Sequence, residues 1–316
     1  MILNLFHYIL VFFVVGVAAF GITPIFRMIA RAAKLFDYPG GRKLQSSPVA
    51  YLGGLAVATP ITLGSLLVIF TSISIDLKNQ FFYGLIIPSI AIAIVGLLDD
   101  LYQIPPWPRF IAQSIVGVIT SLMLYLSGGG VKLFDNPWVN GIVTSLWVVT
   151  IINALNFMDN MDGLATSLAL VMSISLFIIS YVNGQYLVAA LCMALVAACI
   201  GFWFWNKRPA SIYLGDAGAL YLGFLLSAIS IRLDVNANSE AISILVPVLI
   251  FAIPIIDITQ VVISRLTKGK SPFQGGRDHI SHLLLNKGFS ETEVLVILSS
   301  TALILALSGA FLSTIN

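Results

Sequence analysis

Charged residues are scarce in this sequence. Asp, Glu, Lys and Arg make up 9% of its 316 residues, whereas hydrophobic residues make up 59%, and the mean hydropathy is +1.00. Soluble domains are usually about a quarter charged, so this composition excludes an ordinary soluble fold. The formal net charge of +2 is also too small to indicate nucleic-acid binding. The composition predicts an all-α polytopic membrane protein.

Cysteines, targeting signals and repeats are also few or lacking. Cys192 and Cys199, the two cysteines, lie in one apolar run and are expected to pack as small hydrophobic side chains. The N-terminal segment lacks the basic region and the cleavage site of a signal peptide, so we expect it to be retained as a first helix. Because no repeat or linker divides the sequence, residues 1–316 are expected to form a single integral-membrane domain.

Long apolar segments are abundant. A membrane-spanning helix needs about 20 mostly apolar residues, and about ten segments qualify, near residues 4–23, 51–72, 81–98, 109–127, 138–155, 163–182, 186–205, 217–232, 241–264 and 291–313. Most Lys and Arg residues fall on one set of alternate loops, and the exceptions are Lys78, Lys132 and Arg232. Since loops rich in Lys and Arg stay in the cytoplasm, both termini are predicted to lie outside.

Acidic residues gather on the same cytoplasmic side. Six aspartates lie at helix ends or in loops there: Asp99, Asp100, Asp159, Asp162, Asp216 and Asp278. Each one alone is typical of a solvated helix end. Together they are costly near a bilayer unless they hold a cation, and such oxygen ligands suit Mg²⁺ or Mn²⁺. A cation held beside Arg and Lys is what phosphoryl transfer requires.

A polar series stands out at the end of the fifth segment. Asn153, Asn156, Asp159 and Asp162 follow one another at steps of three residues. On a helix such steps place neighbouring members on one face. The spacing therefore predicts one polar, metal-binding side of a helix end.

Four motifs resemble those of the polyprenyl-phosphate N-acetylhexosamine-1-phosphate transferases, which are glycosyltransferase family 4. The motifs are GLLDDLYQIPPWPR (96–109), NALNFMDNMDGLA (153–165), NKRPASIYLGDAGAL (206–220) and GGRDHISHLLL (275–285). The resemblance covers nearly the whole chain and is closest to the WecA/TagO-like branch.

The resemblance implies an activity and a location. The chain would transfer N-acetylglucosamine 1-phosphate from UDP-N-acetylglucosamine to undecaprenyl phosphate and release UMP, with Mg²⁺ or Mn²⁺ as cofactor. This would be the first membrane step in the synthesis of a cell-envelope polysaccharide, such as lipopolysaccharide or teichoic acid. The resemblance also implies an inner (plasma) membrane protein with a cytoplasmic active site, and it leaves a homodimer open.

The resemblance assigns roles to particular residues. Asp99 and Asp100 match the catalytic aspartates, and Asp216 and Asn156 match the metal ligands. The substrate-binding residues that it implies are Lys43, Arg109, Asp159, Asp162, Tyr213, Arg277, Asp278, His279 and His282. Among these, Asp162 would hydrogen-bond uracil, Tyr213 would stack on the base and Arg109 would hold a phosphate. Direct attack and a covalent aspartyl intermediate both stay open.

The histidine motif distinguishes two branches of this family. Members of the phospho-N-acetylmuramoyl-pentapeptide transferase branch typically carry three consecutive histidines, whereas here Ile280 and Ser281 separate His279 from His282. This favours the N-acetylglucosamine substrate, with the muramoyl-pentapeptide transferase as the alternative. The chain also departs from many relatives at Gln45 and Tyr51, where they have a histidine and a basic residue.

Two other classes of protein fit less well. A secondary transporter would also use intramembrane carboxylates, but it should show interrupted helices at the midplane and often an internal repeat. A CDP-alcohol phosphotransferase signature would begin with Asp-Gly, but LATSLALVMSISLFIISY, which follows Asp162 and Gly163, lacks the required Arg, Gly and Asp. Asp257, inside the ninth segment with Arg265 two turns further on, fits a structural contact as well as a direct role.

Overall fold

The computed structural model of the protein describes residues 5–38, 47–72, 82–126, 130–131, 133–233, 235, 240–273 and 275–314. They are mostly helical. The helices are α1 Leu5–Ala32, α2 Gly53–Ser72, α3 Ile87–Tyr102, α4 Pro106–Leu126, α5 Pro137–Met158, α6 Leu164–Val182, α7 Tyr186–Asn206, α8 Gly215–Arg232, α9 Glu240–Ile250, α10 Ala252–Thr267, α11 Ile280–Asn286 and α12 Glu291–Leu312. A π-helical turn, Phe82–Ile86, leads into α3.

Seven of the described helices are long and apolar enough to cross a membrane: α1, α3 with the turn before it, α4, α5, α6, α7 and α12. The bent pair α9 and α10 makes an eighth span if it is counted as one. This confirms a helical, multi-pass membrane protein. Each of the ten predicted segments coincides with a helix or a helix pair, but the count of ten spans and the side of the termini stay predictions.

The ninth predicted segment differs from the structure. The sequence predicts one helix over 241–264, whereas α9 and α10 meet at Phe251 with a bend of 79°. Pro254 has no N–H to donate to the carbonyl of Ile250, so the ladder of hydrogen bonds is interrupted at this point. α10 therefore runs in a different direction from α9.

The centre of the molecule is α8, in which every residue from 217 to 230 is buried. It packs against α3 and α5. The approach of α3 is very close at Gly96, because a Cβ atom there would lie 2.6 Å from the Cα of Ala217. Cys192 and Cys199 are buried, unpaired thiols in the surrounding core, as predicted. The packing brings the first turn of α8 against the last turns of α3 and α5.

A small sheet ties the first loop to the segment before α8. Strands β1 Phe36–Asp37 and β2 Val49–Ala50 pair antiparallel, and Ala50 forms a parallel bridge with Ile212. The backbone N–H of Tyr213 donates to the carbonyl of Ala50 over 2.9 Å. Lys43, predicted to bind substrate, lies outside the described residues.

Candidate active site

Acidic side chains converge where α3, α4, α5 and α8 meet. Asp99 is buried in the last turn of α3, and Arg109 stands in the first turn of α4. Nη1 of Arg109 donates both to Asp99 and to Oδ2 of Asp216, the latter over 2.9 Å. The Asn156 amide, from the end of α5, donates to Oδ1 of Asp216. We call Asp99, Asp100, Asp159 and Asp216, with Asn156 and Arg109, the carboxylate cluster.

Asp100 holds the N-terminus of α8. Its two carboxylate oxygens accept the backbone N–H groups of Asp216, over 2.8 Å, and Ala217, over 3.0 Å. These N–H groups have no partner within the helix, and a carboxylate is a favourable acceptor for them. Gly215 has a φ of +68°, and a Cβ atom there would lie 2.7 Å from an Asp100 oxygen. The glycine before Asp216 therefore makes room for Asp100.

Asp159 follows the last residue of α5 and faces the same cluster. Withdrawal from solvent raises its pKa to about 8, the negative charges of Asp216 and Asp162 add to this effect, and a hydrogen bond from the Gly215 backbone opposes it.

Asp162 and Tyr213 both lie near Asp159 of the carboxylate cluster. Oδ2 of Asp162 accepts the backbone N–H of Ala210 over 2.9 Å. Burial raises the pKa of Asp162, while the bond from Ala210 and the charge of Arg208 oppose the shift. The Tyr213 ring meets the edge of Tyr51 with centroids 6.4 Å apart. Burial and the negative charge of Asp162 both raise the pKa of Tyr213, so the two side chains lie near each other, and their nucleotide-binding roles stay predictions.

The predicted polar face of the fifth helix is only partly present. The helix ends at Met158, so Asp159 and Asp162 lie in the following turn and not on a helical face. Asn153, three residues before Asn156, donates to the Gln113 side chain over 2.6 Å. The prediction of one shared face was therefore wrong for Asp162, because the chain leaves the helix before reaching it.

The loop of residues 275–282, here called the histidine loop, is held by a hydrogen bond between His279 and Asp257 and by an ion pair between Asp278 and Arg265. Nδ1 of His279 lies 2.8 Å from Oδ2 of Asp257. The carboxylate of Asp278 receives two hydrogen bonds from Arg265, over 2.8 and 2.9 Å. Arg265 therefore forms its ion pair with Asp278. It does not pair with Asp257, which lies two turns before it on α10.

Asp278 and His282 of the histidine loop both have pKa values below the usual ones. Burial disfavours the ionised form of Asp278, but the hydrogen bonds and charge of Arg265 outweigh it and lower the pKa. Burial also lowers the pKa of His282, and the positive charge of Arg277 lowers it further. Asp278 is thus ionised and His282 neutral at pH 7. Arg277 and Asp278 line a cavity of about 220 Å³ together with Arg265, Lys268 and Lys270.

The end of α5 connects the histidine loop to the carboxylate cluster. The Phe157 ring lies edge-on to His279 with centroids 5.4 Å apart, and Arg265 lies over the same ring at 5.6 Å. Oγ of Ser281 donates to Oδ1 of Asn160 over 2.7 Å. Phe157 directly follows Asn156, so of two adjacent residues on α5, Asn156 contacts Asp216 in the carboxylate cluster and Phe157 contacts His279 in the histidine loop.

Sequence reasoning missed the role of Gln113. This side chain is fully buried on α4, four residues after Arg109, and its oxygen accepts from Asn153. Residues four apart share a helix face, so the spacing from Arg109 was the available signal. Gln113 joins the polar side of α4 to that of α5.

Comparisons with known proteins find related transferases. The model of glycosyl transferase family 4 matches residues 82–234. The chain is 28% identical to a probable undecaprenyl-phosphate N-acetylglucosaminyl 1-phosphate transferase of Bacillus subtilis (strain 168), over 93% of this chain and 81% of that protein. It is also similar to undecaprenyl-phosphate alpha-N-acetylglucosaminyl 1-phosphate transferases of Yersinia pestis, with 30% identity over 90% of this chain and 78% of the relative, and Escherichia coli (strain K12), with 29% identity over the same shares.

The chain belongs to glycosyl transferase family 4. The family model ends just after α8, so it includes the carboxylate cluster and the segment of Asp162 and Tyr213. The histidine loop lies outside the matched range but within the region that the relatives cover.

A divalent metal is implied for a glycosyl transferase family 4 protein. Among the described residues, no three His, Cys, Asp or Glu side chains are grouped to hold one ion. The donor chemistry nevertheless fits, because Asp99 and Asp216 already share one cationic nitrogen of Arg109 and Asn156 adds an amide. Carboxylate and amide oxygens are the ligands that Mg²⁺ prefers.

Proposed function

We propose that this family 4 chain transfers N-acetylglucosamine 1-phosphate from UDP-N-acetylglucosamine to undecaprenyl phosphate and releases UMP. The observation that carries the proposal is the convergence of Asp99 and Asp216 on Arg109 at helix ends of a multi-pass membrane protein. The names of the relatives in Bacillus subtilis, Yersinia pestis and Escherichia coli state undecaprenyl phosphate and an N-acetylglucosaminyl 1-phosphate group, and these support the proposed substrates. The step would begin the synthesis of a cell-envelope polysaccharide.

The reaction joins an oxygen of the lipid phosphate to the β-phosphorus of the nucleotide sugar and breaks the bond to the bridging oxygen, which leaves with UMP. Negative charge accumulates on the transferred phosphoryl group and on UMP. Arg109 is placed to neutralise part of that charge, while Asp99 and Asp100 orient the groups around it. Four carboxyl groups gathered beside one guanidinium favour a divalent cation, which would stabilise their ionised forms.

We assign that cation to Asp216 and Asn156, with Asp99 beside them. When bound, Mg²⁺ or Mn²⁺ would neutralise charge on the pyrophosphate. Asp159 lies next to Asp216, so the cation would also favour the ionised form of Asp159. This assignment is consistent with the two contacts that Asp216 receives on separate oxygens.

We further propose that different residues bind the two ends of the nucleotide sugar. Asp162 and Tyr213 would bind uridine, and Arg277, His279 and His282 would bind the sugar and its phosphate. Lys43 would contact a phosphate from the first loop. These residues are proposed to face the cytoplasm, in an inner-membrane protein whose termini lie outside.

One assay tests the activity directly. Purified protein is incubated with undecaprenyl phosphate, Mg²⁺ and a panel of UDP-sugars that includes UDP-N-acetylglucosamine and UDP-N-acetylmuramoyl-pentapeptide, and UMP release is measured. We expect UMP from UDP-N-acetylglucosamine, and loss of release when EDTA removes the metal. Release from the pentapeptide substrate alone would favour the muramoyl-pentapeptide transferase. No UMP from any sugar would overturn the transferase activity and leave a transporter to be tested.

A further inference from the structure

Asp257 is a buried acidic residue that the proposed chemistry does not use. It lies in the second turn of α10 and is fully buried. Both oxygens of its carboxylate are engaged: Oδ2 lies 2.8 Å from Nδ1 of His279, and Oδ1 accepts the backbone N–H of Ile280 over 2.7 Å. A buried carboxylate needs such partners. Its partners are two consecutive residues of the histidine loop.

The contact with Asp257 determines which nitrogen of His279 carries hydrogen. A carboxylate can only accept, so Nδ1 must be the protonated nitrogen, and Nε2 of the neutral ring then keeps its lone pair. The His279 side chain is 9% exposed, and Phe157 and His282 lie against its ring with centroids 5.4 and 6.0 Å away. The bond to Ile280 fixes the backbone that carries the ring. Asp257 on α10 therefore sets both the orientation and the tautomer of the His279 ring.

We propose that Asp257 is a positioning residue that holds His279 in the Nδ1–H form and presents Nε2 to the substrate. Nε2 then accepts a hydrogen bond from a hydroxyl or acetamido N–H of N-acetylglucosamine. This role rests on the proposed transferase function. In this role His279 accepts hydrogen bonds from neutral donors on the sugar, whereas the positive charge of Arg277 on the same loop favours binding of the phosphate.

The substitution Asp257→Asn separates the two contacts. The Asn oxygen keeps the bond from the Ile280 backbone, so the loop keeps its anchor. The new amide nitrogen then faces Nδ1 of His279 and can only donate. His279 must respond by adopting the Nε2–H form, which reverses the hydrogen bonding offered to the sugar.

The tautomer is measured first, by ¹⁵N spectroscopy of the histidine rings in the full-length protein. The chain has three histidines, and the His279→Gln variant identifies the His279 signals. We expect a protonated Nδ1 and an unprotonated Nε2 in the wild type, and the reverse in Asp257→Asn. An Nε2–H ring or a doubly protonated ring in the wild type would overturn the proposal, whatever the enzyme's substrate proves to be.

Kinetics then test the link to the sugar. In Asp257→Asn we expect KM for UDP-N-acetylglucosamine to rise about tenfold, as for one lost hydrogen bond, while inhibition by UMP is unchanged. In a His279→Gln background the same substitution should add nothing, because Asp257 acts through His279. Asp135→Asn, the same change at an exposed residue, is the matched control and should behave as wild type.

Two outcomes would contradict the kinetic part. Additive losses in the double variant would show that Asp257 supports the fold and not the ring. Equal losses of UMP and nucleotide-sugar affinity would show that His279 does not read the sugar. If the wild type releases no UMP at all, the transferase proposal fails while the spectroscopic result still decides the positioning of His279.

Discussion

Asp216 is positioned by three neighbouring helices as well as by its own. Oδ1 accepts from Asn156 of α5, Oδ2 accepts from Arg109 of α4, and the backbone N–H donates to Asp100 of α3. A side chain held in this way has little freedom to reorient. This rigidity suits a group that must face a developing charge without rearranging.

We expect Asp216→Asn to lower kcat by about 100-fold or more, as is typical when a charge that stabilises a transition state is removed. Asp278→Asn should cost much less activity, because Asp278 is bound to Arg265 in the histidine loop. The measurement is UMP release at saturating substrates over a series of Mg²⁺ concentrations. Near-normal turnover in well-folded Asp216→Asn protein would contradict the assignment of the metal to this residue.

The pair of Asp278 and Arg265 should make stability depend on pH. The pKa of Asp278 is lowered in the folded protein, so ionised Asp278 stabilises the folded state above the unfolded pKa of about 3.9. This contribution is lost as the pH falls through the pKa of the folded protein. Wild type should therefore melt at a higher temperature than Asp278→Asn at pH 7, and the difference should shrink below about pH 4. Melting curves of both proteins in detergent over this range provide the measurement. A difference that is independent of pH would argue against the ion pair.

At the scale of elements, the packing of α3 on α8 depends on Gly96. A methyl group there would meet the backbone of Ala217 at 2.6 Å, and helix backbones that approach so closely require small residues. The carboxylate cluster is built across this contact, since Asp99 and Asp100 follow Gly96 within one turn.

Gly96→Ala should therefore push α3 away from α8, destabilise the protein by about 1–3 kcal/mol as overpacking does, and lower UMP release. Gly21→Ala is the matched control, because nothing lies within 4 Å of a Cβ atom on this helical glycine of α1. It should leave stability unchanged or slightly raised, since Ala favours helix. Thermal unfolding and turnover of the two variants are compared. Equal behaviour would show that the close approach at Gly96 is unimportant.

The helices were predictable from the sequence because hydropathy is a local property, whereas the contacts between them were not. The bend at Phe251 has a local cause in Pro254, yet the same pattern also fits a kinked single helix. Asp257 on α10 and His279 in the histidine loop are 22 residues apart, and no periodicity connects them. Asp162 was assigned to a helical face because nothing before Gly163 marks the end of α5.

At the scale of the whole molecule, orientation in the membrane remains a prediction from the distribution of Lys and Arg. In a background without Cys192 and Cys199, we expect Asn136→Cys to react with a membrane-impermeant maleimide on intact cells and Ser271→Cys to react only after lysis. Both positions are exposed. Labelling of Ser271→Cys from outside would invert the topology and remove the cytoplasmic active site.

The family could also be predicted at this scale, because its motifs are short and each keeps its own spacing. Which residues meet could only be predicted in part. The convergence on Asp216 followed from the motifs, but the engagement of Asp100 with the α8 backbone and of Gln113 with Asn153 depends on the packing of α3, α4, α5 and α8.

The end of α5 lies between the histidine loop, which we propose binds the sugar, and the carboxylate cluster, which we propose supports phosphoryl transfer. Asn156 touches Asp216, the next residue touches His279, and Asn160 holds Ser281. If the histidine loop binds the sugar as proposed, a nucleotide with the wrong sugar would leave the contacts of the loop incomplete, and the end of α5 connects that loop to Asp216. Selectivity built in this way is expressed in the rate of turnover and not only in affinity, so a mismatched sugar can bind and still fail to react.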